Sequence, residues 1–208
     1  MIPSITKCRT EGKTFLPLRW LSVAFLAFPC FFLTVSSPVY ATDLSFHPGR
    51  AWGMLVGYGF QHSRWVEELG EDVELSFLYP TMIIVSYYQG PLQVHLDLQA
   101  LLGARTDRRQ GILAGGGPVA RILYNTQIRV SPYLHLGMGV LYTNIDLKGM
   151  GTRMNFFQEA GAGIQFKIHN KLTVSGEYRA MHISNAGLSE DNKGFNTHMV
   201  LMGIWYSF

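Results

Sequence analysis

Three side chains near the end of this sequence have the types and spacing for acyl-group chemistry: His182, Ser184 and Asn196. A neutral imidazole can take the proton of a serine hydroxyl and turn it into a nucleophile. A third polar group, hydrogen-bonded to the other ring nitrogen, then holds the imidazole in the working tautomer. The spacing demands a strand, because residues two apart on a strand share a face about 6.5 Å apart. An isolated His-x-Ser is common, and its plain reading is a pair of polar residues at a strand end. The surrounding elements must decide.

Those elements are legible as segments of about ten residues with period-2 apolarity, the pattern of transmembrane barrel strands. Eight occur, over 51–61, 72–80, 92–102, 112–124, 130–142, 156–167, 171–184 and 198–208. In the first, Trp52, Met54, Val56, Tyr58 and Phe60 oppose glycines and Gln61. In the second, Val73, Leu75, Phe77 and Tyr79 form the apolar set against Glu74 and Ser76, and alternation blurs over Thr81–Tyr87. In the seventh, Leu172, Val174, Tyr178 and Ala180 oppose Thr173, Ser175, Glu177 and Arg179. Connections alternate between short (Gln89-Gly90-Pro91, Asn125-Thr126-Gln127, His169-Asn170) and long (62–71, 103–111, 143–155, 185–195). That is the layout of short periplasmic turns and longer outer loops.

A soluble ligand-carrying barrel of lipocalin type also has eight alternating strands, but its apolar face points inward. Here the opposite face carries Glu, Asp, Arg, His, Gln and many Gly. The interior of an eight-stranded barrel is just filled by side chains, so Glu177 and Arg179 are expected to pair inside and the apolar sets to face lipid. Tyr124, Tyr142, Tyr206 and Phe208 suit the interfacial girdle, and a C-terminal Phe on an aromatic alternating strand is the kind of signal that outer-membrane assembly machinery reads. The expectation is an all-β, eight-stranded antiparallel transmembrane β-barrel. On this parity His182 and Ser184 continue the lipid-facing set of the seventh strand at its outer end. Asn196, in phase with His198 and Val200, faces outward beside them. Polar groups facing lipid carry a cost, which points to a substrate in the outer leaflet.

The first 41 of the 208 residues read as an export signal: Lys7, Arg9, Lys13 and Arg19, an apolar stretch from Trp20 to about Val35, and Pro38-Val39-Tyr40-Ala41 before a cut. Pro29 argues against a retained anchor, and Cys30 lacks the small residue that a lipobox needs before it. Two domains follow, 1–41 as signal peptide and 42–208 as barrel. Both cysteines, Cys8 and Cys30, fall in the signal, so the mature chain has no thiol chemistry or disulfide. The chain has 17 Lys+Arg and 14 Asp+Glu. The signal removes four of the first and one of the second, which leaves a neutral barrel and no case for nucleic acid.

The segment His182-Ile183-Ser184-Asn185-Ala186-Gly187-Leu188, followed by Asn192-Lys193-Gly194-Phe195-Asn196, resembles the PagL-type lipid A 3-O-deacylases. A looser similarity covers most of the mature chain, including Pro132-Tyr133, Phe157, Glu159 and Tyr178-Arg179. The resemblance implies an outer-membrane hydrolase of Gram-negative bacteria that removes the 3-linked hydroxyacyl chain from lipid A. His182 is then the base and Ser184 the nucleophile. Asn185, Ala186 and Gly187 become candidates for an oxyanion hole. The family pattern has an acidic third member where this chain has Asn196. Asn can orient an imidazole but cannot stabilise imidazolium by charge, so Glu190 and Asp191 stay open as substitutes. The alternative from another class is a catalytically silent barrel with a structural or adhesive role.

Loop cations Arg105, Arg108, Arg109 and Lys193, with Lys148 and Arg153, suit the phosphates of lipid A, although acids are interspersed as on any solvated loop. Interior His95, Asp97 and His135 read as a hydrogen-bond network rather than metal ligands. Gly115–Gly117 lack the Lys-Ser/Thr of a phosphate loop. No cofactor or metal is expected. The implied partners are lipid A or lipopolysaccharide, the outer membrane and the barrel assembly machinery. A homodimer is left open.

Overall fold

The computed structural model describes residues 45–48, 51–61, 73–107, 110–125, 128–145 and 150–208. The expected signal over 1–41 lies outside them. The elements are β1 (Ser45–Pro48), β2 (Ala51–Gln61), β3 (Val73–Gln89), β4 (Leu92–Arg105), β5 (Ile112–Tyr124), β6 (Val130–Thr143), β7 (Met154–His169), β8 (Leu172–Ser184) and β9 (Phe195–Ser207). All pairings are antiparallel. The order runs β1-β3-β2-β9-β8-β7-β6-β5-β4, and a β3–β4 pairing closes the ring. β1 and β2 both pair with β3, at Ser45↔Tyr88 and Trp52↔Met82, so they form successive parts of one stave. The result is the expected eight-stranded closed barrel. Closure matters because lipid offers nothing to an unpaired backbone edge.

Alternation sets the faces. On β4 through β9 the apolar sets point outward, among them Leu98, Leu134, Ile164, Val200 and Met202. Aromatic residues Tyr124, Tyr142, Tyr206 and Phe208 stand at the strand ends on that outer side. Gly90 takes a left-handed φ of 57° in the tight β3–β4 turn, a conformation that costs other residues more.

β3 departs from expectation. Val73, Leu75, Phe77 and Tyr79 point into the lumen, and Glu74 and Ser76 point out. The interior is the reason. Its outer half is an apolar plug of Leu75, Phe77, Leu101, Leu113, Leu141, Phe157, Ile183 and Phe195. Either face of the β3 segment would therefore bury apolar side chains somewhere. A register shift between Ile83 and Val85 then changes the phase of the strand. This explains the blurred alternation and lets β3 run on to Gln89.

Below the plug lies a charged layer. Glu159 is the hub: Oε1 accepts from Gln99 Nε2 (2.8 Å), His135 Nε2 (2.9 Å) and Arg179 Nη1 (2.9 Å). Arg179 Nε also pairs with Glu177, and Arg121 Nε with Asp97. His95 Nδ1 bonds Ser86 Oγ (2.6 Å). Removing one partner from such a buried set costs about 3–5 kcal/mol, because it strands the other charge. At the tight-turn end the lumen opens into a cavity of about 730 Å³ that is lined in part by Arg121, Arg129 and Lys167.

Candidate functional site

The even-numbered side chains of β8 form one outward row that runs from Leu172 through Tyr178 and Ala180 to His182 and Ser184. The odd-numbered ones, Glu177, Arg179, Met181 and Ile183, are buried inside. His182 and Ser184 therefore lie on the outside of the wall, at the long-loop end of the stave. β9 begins at Phe195, three residues before the segment legible in the sequence, so Asn196 belongs to the strand and pairs directly with His182.

That pairing has chemical content. Asn196 Oδ1 lies 2.8 Å from His182 Nδ1. A carbonyl oxygen only accepts, so Nδ1 carries a proton, and in the neutral ring Nε2 is then the nitrogen with the lone pair. The imidazole is thus oriented as a base. Glu190 and Asp191 are exposed in the following loop, and neither carboxylate bonds the ring. Among the described residues Ser184 Oγ has no hydrogen-bond partner. Its neighbour across β7 is Phe156, which is exposed on the same face.

Gly194 leaves room for the ring. Its φ is +73°, and a Cβ built there would lie 2.7 Å from His182 Cε1. Any side chain at 194 would thus push the imidazole away. Sequence reasoning placed Gly194 in a motif and assigned it no role. A glycine just before a strand that delivers a catalytic-type residue is the only signal it left.

The loop after Ser184 is shaped by Asn185, which is fully buried. Its Oδ1 accepts from Gly187 N–H (2.9 Å), its Nδ2 donates to Asp191 O (2.9 Å), and its own N–H donates to Asn192 Oδ1 (3.0 Å). This Asx-type turn commits the backbone N–H groups of Asn185 and Gly187 to side-chain oxygens. Of the three expected donors, Ala186 N–H stands outside these bonds. Ala186 itself is held at a φ of 52°, a strained conformation that persists only where neighbours enforce it. Asn192, also assigned no role from sequence, does part of that work. A strand-like bridge between Met150 and Asn192 ties this loop to the one between β6 and β7.

The loop cations are dispersed. Arg105 is an inward, nearly buried residue at the end of β4, with Nε 2.5 Å from Asp107 Oδ1. Lys193 is exposed next to Gly194. Arg108, Arg109 and Lys148 lie outside the described residues.

Comparisons with known proteins address the family and the fold. A family model described as lipid A 3-O-deacylase (PagL) matches residues 40–205. The curated lipid A deacylase PagL of Pseudomonas aeruginosa is 31% identical over 78 residues, which are 36% of this chain and 43% of that one. The match therefore spans less than half of that relative. The crystal structure of the outer membrane enzyme PagL superposes with a TM-score of 0.59 at 20% identity, covering 74% of this chain and 97% of that one. Neisserial surface protein A superposes with a TM-score of 0.55 at 14% identity, covering 79% and 99%. These two likenesses speak to the fold. The family match over residues 40–205 does more: this chain belongs to the lipid A 3-O-deacylase (PagL) family.

Proposed function

We propose that this protein is an outer-membrane esterase that removes the 3-O-linked hydroxyacyl chain from lipid A in the outer leaflet, after export and signal removal. The observation that carries the reading is the outward imidazole bonded through Nδ1 to Asn196, on the same face of β8 as Ser184 two residues on. Family membership supplies the substrate class.

In this reading Ser184 Oγ attacks the ester carbonyl while His182 Nε2 takes its proton. Collapse of the tetrahedral intermediate expels the sugar oxygen, which receives that proton from the imidazolium. Water activated by the same nitrogen then releases the hydroxy acid and regenerates the serine. Catalytic hydrogen bonds often tighten only when substrate is present, so a rotation of the Ser184 side chain is part of the cycle. Ala186 N–H faces the developing oxyanion, and Phe156 seats the acyl chain. Asn185 and Gly187 shape that turn more than they donate. Lys193, with Arg105, Arg108 and Arg109, would meet the lipid A phosphates, Arg105 only by giving up Asp107.

The purified barrel in detergent, given lipid A, should release a 3-hydroxy fatty acid, read as the corresponding mass loss of the lipid. An unchanged lipid mass after prolonged incubation refutes the reading. It would favour a silent barrel with a structural or adhesive role, which the neutral Asn196 also suits.

A further inference from the structure

Polar side chains on the lipid side of β7, β8 and β9 sort by whether another side chain satisfies them. Tyr178 Oη and His198 Nδ1 are hydrogen-bonded, with their rings stacked 5.9 Å apart. His182 and Asn196 satisfy each other. In the outer half of these staves two polar groups remain, Ser184 and Gln158. Among the described residues neither has a side-chain hydrogen-bond partner. Gln158 is exposed on the outward face of β7. A free amide facing hydrocarbon is costly, and on the outward face of β7, β8 and β9 it occurs beside the imidazole.

The register shows how near. Gln158 pairs directly with His182, and Phe156 with Ser184. On its other side Gln158 meets apolar Met138. Directly opposed Cβ atoms are about 4.5–5.5 Å apart and diagonal ones about 7–8 Å. The Gln158 amide therefore reaches the space over the His182–Ser184 pair, where an ester would lie. That space is short of donors, because the N–H groups of Asn185 and Gly187 already serve Asn192 Oδ1 and Asn185 Oδ1.

We propose that Gln158 touches the substrate: its Nε2–H donates to the carbonyl oxygen of the ester that Ser184 attacks, forming a two-donor oxyanion site with Ala186 N–H. This rests on Ser184 acting as the nucleophile. The amide forms no covalent bond. It stabilises charge that moves onto the carbonyl oxygen and returns when the intermediate collapses.

The test is Gln158→Leu in the full mature barrel folded in detergent, with lipid A as substrate. A lost oxyanion donor costs about 10²–10³-fold in kcat, so most of the loss should fall in kcat. Heat-modifiable electrophoretic mobility should be kept and the melting temperature unchanged or raised, since an unpaired amide leaves the lipid face. A kcat within twofold of the parent, or a loss that tracks unfolding, overturns the assignment. If the parent itself releases no acid, the esterase reading fails separately. Retention of lipid A by the Ser184→Ala barrel then decides: at least threefold weaker retention on adding Gln158→Leu supports the contact, and equal retention overturns it.

Discussion

The two halves of the barrel wall present different faces to the membrane. On β4, β5 and β6 the outward residues between the rims are apolar, from Leu96 and Leu98 through Ala120 and Ile122 to Leu134 and Val140. On β7, β8 and β9 the outer half carries Gln158, Tyr178, His182, Ser184, Asn196 and His198. The same backbone lattice supports both, so closure and hydrogen bonding do not require the polar residues. What the contrast teaches is that the stripe on β7–β9 is there at the expense of lipid solvation. Its side chains are arranged to repay that in pairs, at His182–Asn196 and Tyr178–His198.

Substitutions that erase or invert the difference test it. The largest effect is expected from Ser184→Ala, which should lower acyl release by at least about 10³-fold, the scale on which loss of a nucleophile leaves only binding and oxyanion terms. Mass spectrometry of the lipid reads activity, and heat-modifiable mobility should show an intact barrel. Inverting the quiet side comes next. Leu98→Arg places a cation near mid-depth on β4 and should destabilise the barrel by about 2–4 kcal/mol in urea titration. The activity of the fraction still folded should stay near the parent's.

Asn196→Ala removes the acceptor for Nδ1–H and should lower kcat by about 10²-fold. Asn196→Glu should exceed the parent, because a carboxylate also stabilises imidazolium. A rate equal to the parent for both would show that the ring needs no partner. The smallest effect belongs to Tyr178→Phe. It breaks one bond worth about 1 kcal/mol, and the shift should appear in urea stability with activity changed less than twofold.

Legibility in the sequence followed the chemistry of each face. β8 was readable because a charged lumen opposes an apolar exterior: Glu177 and Arg179 against Val174 and Tyr178 leave one consistent phase, and His182 and Ser184 inherit it. β3 was not, because its outer half borders the apolar plug, so Leu75 and Phe77 satisfy either face, and the shift at Ile83/Val85 hides the change of phase. The oxyanion candidates were found as a cluster but could not be ranked. Which amide is spent depends on Asn185 and Asn192 meeting across the turn. Gly194 was visible as a residue and invisible as a function, since its contact with the His182 ring exists only in three dimensions.

The apolar plug beneath the outer rim closes the tube as a route for solutes. On the proposed reading, traffic to the hydroxyl of Ser184 would then be two-dimensional: an amphiphile would arrive and depart by sliding within its own monolayer. Water must come down from the loops above. A fatty acid released there would stay among its neighbours instead of crossing to the other side, so turnover would answer to the fluidity and crowding of the surrounding leaflet.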